Sequence, residues 1–136
     1  MTRPRTILCL TLIATAVSIA GAASARKLAA NTINPTAALH AGGNRITLTG
    51  PFTCTQVEWV AFRVTITQRT TGAMAEGYAL RLGSTTSQQW QVLATTRGGA
   101  TFEPGPATAV AVAVSTLHGE TTDAHQWLVP VTLQAQ

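Results

Sequence analysis

The stretch WVAFRVTITQRTTGAMAEGYALRL, residues 59–82, holds two runs of alternating character on either side of one turn signal. In the first, Val60, Phe62, Val64 and Ile66 alternate with Trp59, Ala61, Arg63, Thr65 and Thr67. A period of two sends successive side chains to opposite faces of a pleated strand, so this run has one dry and one wet face. Gly72 can take the positive φ that a tight turn demands, and beyond it Tyr78, Leu80 and Leu82 alternate with Ala79 and Arg81. Pairing Arg69 with Ala73 across a three-residue loop sets Val60, Phe62 and Val64 opposite Leu82, Leu80 and Tyr78. The apolar faces then match, and a hairpin is predicted with Trp59 and Arg63 turned outward.

Working outward, the same rhythm recurs. Residues 83–87 read as a loop and residues 88–96 as a strand with Trp90, Val92 and Ala94 on one side, broken by Gly98-Gly99. Phe102-Glu103-Pro104-Gly105-Pro106 is a stiff loop whose two prolines cannot donate to a ladder. In ATAVAVAVSTL, Val110, Val112 and Val114 alternate with Ala109, Ala111 and Ala113, apolar on both sides as in a central strand. The last run alternates Trp127, Val129, Val131 and Leu133 with Gln126, Leu128, Pro130 and Thr132, and Pro130 points to an edge or bulge. Upstream, residues 44–49 turn Ile46 and Leu48 inward, and residues 28–39 have room for one more strand interrupted by Asn34-Pro35. Six or seven short strands with no helical spacing predict an all-β, two-sheet antiparallel sandwich of immunoglobulin-like type, with a small barrel as the alternative.

The chain's first 25 residues have a different character. Arg3 and Arg5 precede an apolar run from Ile7 to about Ala20, and small residues follow, with Ala23-Ser24-Ala25 suiting a signal-peptidase cut. The run is shorter than the roughly 20 apolar residues that a spanning helix needs. A cleaved secretory signal over residues 1–25 is therefore expected, by the general secretory route because no Arg-Arg pair is present. It leaves residues 26–43 as an N-terminal segment and residues 44–136 as one domain, and no membrane association is expected after cleavage. Its seven Lys/Arg against five Asp/Glu are scattered singly, which argues against nucleic acid as a partner. Only Cys54 remains in the exported part, so no internal disulfide is available to it and packing must hold the fold.

Two places invite a functional reading. HGETTDAH, residues 118–125, sets two imidazoles and a carboxylate on one hairpin. If residues 119–122 make a four-residue turn, His118 pairs with Asp123, Thr116 with His125 and Val114 with Trp127. His118, Asp123 and His125 then share the face of Val112, Val114, Trp127 and Val129, near the rim of the core. Three such ligands with an open position can hold zinc or copper. A solvated turn accounts for the same residues, and the spacing matches none of the tighter metal motifs. No cofactor is predicted. The second place is the outward face of the first hairpin, where Trp59 and Arg63 stand beside Arg81, placed across from Ala61. Indole and guanidinium there can stack, and such a surface suits an extracellular protein or glycan. The proline-flanked loop adds a further alternative, a protein-inhibitor module. No paired carboxylates, nucleophile elbow or phosphate-binding glycine loop points to catalysis, so a non-enzymatic role is expected.

RVTITQRTTGAMAEG, QQWQV, FEPGPATA and TTDAHQWLVPVTL together resemble a group of small secreted bacterial proteins of β-sandwich type to which no activity is assigned. The resemblance covers residues 48–133 and implies export and a β fold. Members of that group carry additional cysteines, one directly after the Gln-Trp pair where this chain has Leu128. That departure bears against any disulfide the resemblance implies.

Overall fold

The computed structural model describes residues 28–29 and 33–136. The expected signal peptide, residues 1–25, lies outside them. The chain forms β1 (Leu28–Ala29), β2 (Thr36–Leu39), β3 (Arg45–Cys54), β4 (Glu58–Gln68), β5 (Ala73–Gly83), β6 (Gln88–Arg97), β7 (Gly105–Leu117) and β8 (Glu120–Ala135). No helix occurs among the described residues.

The expected two-sheet sandwich gives way to a closed barrel of seven strands. The order runs β3-β2-β8-β7-β4-β5-β6 and returns to β3, with β1 added at the far end of β3. Closure depends on short joins. β5 pairs with β6 only over Met74–Glu76. Strand β2 lies between β3 and β8, antiparallel to the first through two residue pairs and parallel to the second through four. Long pairings, β4 with β5 and with β7 and β3 with β6, form the walls. Alternation of dry and wet residues is the same in a sandwich leaf and in a barrel wall, so the periodicity alone does not say whether edges meet.

The first hairpin differs from its expected register by one residue. Gln68 pairs with Ala73 across a four-residue turn, so Phe62 faces Ala79 and Val64 faces Gly77. A one-residue slip turns every side chain of the second strand over. Ala73 and Ala75 are buried, while Tyr78, Leu80 and Leu82 are exposed. The second hairpin differs as well. Its turn has two residues, His118 and Gly119, both at positive φ, and Leu117 pairs with Glu120. A bulge between Ser115 and Thr116 then sets Ser115 opposite Asp123, Ala113 opposite His125 and Ala111 opposite Trp127. The alanines of β7 are therefore inside, fully buried from Ala109 to Ala113, and the valines line the outer face.

Small residues face inward on β5 and β7 because the interior is already filled with rings. Phe62 stacks on Trp90 at 5.2 Å and meets Phe52 edge-on at 5.1 Å. Ile46, Leu48, Val60, Val64, Ile66 and Val92 close around them without exposure. In a small barrel, large side chains from one wall need small ones opposite. Gly77 is one such tight point, where an added Cβ would come within 2.5 Å of the Leu93 carbonyl oxygen.

Candidate functional site

Strand β4 organises the outer wall. With Val60 to Ile66 anchored inside, the intervening residues must face out, and each has a neighbour on both sides at the same level. Trp59 stands between Leu82 and Thr116, Ala61 between Leu80 and Val114, and Arg63 between Tyr78 and Val112. Across β7 the rows continue to Ala124 and Gln126 on β8. Trp59 is 50% exposed, Tyr78 59%, Leu80 46% and Leu82 48%. Between these projections Ala61, Arg63, Tyr78, Val112 and Val114 line a shallow hollow of about 320 Å³. The surface is apolar with one guanidinium.

Trp59 and Arg63 thus share the outward face, as their spacing predicts. Arg81 does not join them. It pairs with Val60, and Leu80 takes the place across from Ala61. The Arg81 guanidinium instead donates to the Leu80 carbonyl at 3.2 Å. Sequence reasoning missed Tyr78, Leu80 and Leu82 as surface residues because they are the larger members of their alternation. The signal that finds them is the small residues on the opposite phase, Ala73, Ala75, Gly77 and Ala79, which the ring-filled interior requires.

The hairpin trio is only partly assembled. His118 occupies the turn at φ 52° and is exposed. Asp123 and His125 lie on the inward face, with the carboxylate 3.5 Å from His125 Nε2. That distance falls within ion-pair range, but the imidazole makes no hydrogen bond there. The Asp123 carboxylate also accepts from the backbone N–H of Leu28 at 3.0 Å and of Ala124 at 2.9 Å. It therefore ties β1 to the start of β8. Among the described residues no three of His, Cys, Asp and Glu come together as metal ligands. His40, the third histidine, bonds Thr47 Oγ1 at 2.8 Å.

One buried carboxylate was not anticipated. Glu58 precedes Trp59, on the inward phase of β4, and is 1% exposed. It accepts from Thr122 Oγ1 at 2.6 Å and from Gln56 Nε2 at 2.6 Å. Extending the alternation of Val60 and Phe62 back by two residues would have found it. Ser115, also buried, shares a hydrogen bond of 2.9 Å with Thr122 and donates to the Asp123 carbonyl at 3.4 Å. Ser115, His125 and Asp123 therefore do not form a relay, since the serine hydroxyl is taken up by Thr122 and backbone. Nearby, burial first and the Glu58 charge second push the Cys54 thiol above its ordinary pKa. Glu58, Thr122, Ser115 and Asp123 thus form one hydrogen-bonded polar cluster at this end of the barrel.

The proline-flanked loop is held from beneath. Gln68, 2% exposed, donates to the carbonyls of Glu103 and Pro106 and accepts from the Glu103 N–H. Phe102 is part of the core, and only Glu103, Pro104 and Pro106 are exposed.

No protein-family model matches the chain, and a search of curated proteins returns no significant match.

Proposed function

We propose that this chain is an exported, non-enzymatic binding or structural module whose working surface is the outer wall of β4, β5 and β7. The observation that carries this reading is the run of three consecutive outward rows, from Trp59 to Tyr78, that remain apolar on the solvent side of a closed barrel. Apolar surface left in water costs about 25 cal/mol per Å², and a contiguous patch of this kind marks a place meant to be covered. Trp59, Tyr78 and Arg63 are residue types enriched where binding energy concentrates. The face has few hydrogen-bonding side chains, which favours a protein partner over a glycan. Export rests on Arg3, Arg5 and the apolar run after them.

The test uses an apolar fluorescent dye with the purified protein and with Leu80→Glu. Leu80 projects into solvent, so the substitution disturbs the wall and not the core. Saturable dye binding by the parent chain, reduced several-fold in Leu80→Glu with an unchanged circular dichroism spectrum, is the expected result. Equal dye binding by both proteins would remove the wall as the working surface.

A further inference from the structure

We infer that the partner of this wall is a second copy of the same chain, packed face to face about a twofold axis. The inference rests on the wall being the working surface. The first argument is shape. A twofold interface must be complementary to itself, so one patch has to carry both a projection and a recess. This patch has both. Trp59, half exposed, stands in the row directly beside Ala61 and Val114, and the hollow of about 320 Å³ opens over Ala61, Arg63, Val112 and Val114. Rotation by 180° brings the indole of each copy over the hollow of the other.

The second argument is chemical. Arg63 lines the hollow, and no ion pair engages it among the described residues, whereas the nearby Glu76 is taken by Arg97 at 3.5 Å. A guanidinium free of a carboxylate and set beside a recess offers a cation to the face of an arriving indole. Each copy contributes one such pair, so the contact repeats across the axis.

The third argument is area. Val57, Trp59, Tyr78, Leu80 and Leu82 are each between 46 and 59% exposed. Given side-chain areas of up to 250 Å² for the aromatics, these five leave about 500 Å² in water. A stable interface takes about 800 Å² from each partner. The five side chains alone thus amount to more than half of that area.

Sedimentation equilibrium on the purified protein, with its N-terminus defined by mass spectrometry, tests the inference. The parent chain is expected at twice its monomer mass, and Leu80→Glu at the monomer mass with an unaltered circular dichroism spectrum. Trp59 provides a second readout, because, of the other two tryptophans, Trp90 is wholly buried and Trp127 is partly buried against the core. Its emission should shift to the blue as concentration rises, and that shift should vanish in Trp59→Phe. A parent chain that stays monomeric to about 1 mM overturns the inference. A dimer that persists in both Leu80→Glu and Trp59→Ala also overturns it, because another surface then holds the copies together. The dye experiment is read separately: a monomer whose dye binding still depends on Leu80 keeps the wall as a binding surface and rejects only the self-partner.

Discussion

The amide of Gln68 is enclosed and fully occupied. Its Nε2 donates to the Glu103 carbonyl at 2.8 Å and the Pro106 carbonyl at 3.3 Å, and its Oε1 accepts from the Glu103 N–H at 2.9 Å and the Thr71 hydroxyl at 3.1 Å. One side chain thus satisfies a turn and a loop that carry no ladder of their own. Gln68→Leu keeps the volume and leaves those backbone groups buried without partners, at about 1–3 kcal/mol each for any that cannot reach water. The expected outcome is a fall in unfolding free energy of about 3 kcal/mol, measured by urea denaturation, with faster proteolysis near Pro104. Cys54 makes a second prediction at this scale. Its folded pKa is raised, by burial and then by the Glu58 charge, above an ordinary value of 9.0. The folded state therefore holds the proton more tightly than the unfolded one. That contribution is complete below pH 9 and is lost as pH rises through the folded value. Cys54→Ala should flatten the decline of stability above pH 9, and the parent thiol should react slowly with alkylating reagents at neutral pH.

Each hairpin has its register set by its turn, and at the second a residue type is strained. His118 holds φ 52° and Gly119 φ 78°, the two positive values that a two-residue hairpin turn of this hand requires. Histidine can occupy that region, but asparagine and glycine are the residues such a turn favours. His118→Asn should stabilise the protein by about 0.5 kcal/mol and raise the melting temperature by about 2–4 °C, read by thermal unfolding. A metal-holding role for His118 would instead show as a loss of stability on the same substitution. These turns also mark where the sequence was readable. The phase of β4 is legible because large residues define one face and Thr, Arg and Ala the other, and Val60, Phe62, Val64 and Ile66 are indeed fully buried. The phases of β5 and β7 are not legible by the same rule. There Ala75, Ala109 and Ala111 take the interior while Leu80, Leu82 and the valines face out. Local hydrophobicity ranks leucine and valine above alanine, but the ring cluster of Phe52, Phe62 and Trp90, from β3, β4 and β6, leaves room only for the small residues. That information lies on other strands of the chain, and no window on one strand contains it. The turn lengths compounded the error, since moving from three residues to four inverts β5 and the bulge at Ser115 resets β8.

At the scale of the molecule, the walls and the joins between them differ in strength. β4 is paired along its whole length with β5 and over nine residues with β7, so opening it requires both neighbours to separate. β2 is four residues long, and with the three-pair contact of β5 and β6 it is what turns two sheets into a barrel. Ala37 and Leu39 are its only buried anchors, whereas Ala38 faces outward and pairs with Thr47 on one side and Gln134 on the other. Stability in such a fold is graded, with the fewest buried contacts at the joins. Native-state hydrogen exchange should therefore find the β2 amides least protected and the β4 and β7 amides most protected, approaching the global unfolding free energy. Ala38→Pro removes a ladder hydrogen bond within β2 and no core side chain, at about 3 kcal/mol. It should raise exchange in β2 and along the flanking edges of β3 and β8, with little change in the β4 and β7 amides relative to the new global limit. If β2 and β4 amides exchange together in the parent chain, the barrel opens as one unit and β2 is as firmly set as the walls. A graded profile would mean that the wall carrying Trp59, Arg63 and Tyr78 stays rigid while the join opens, which is the property that a surface built for docking needs.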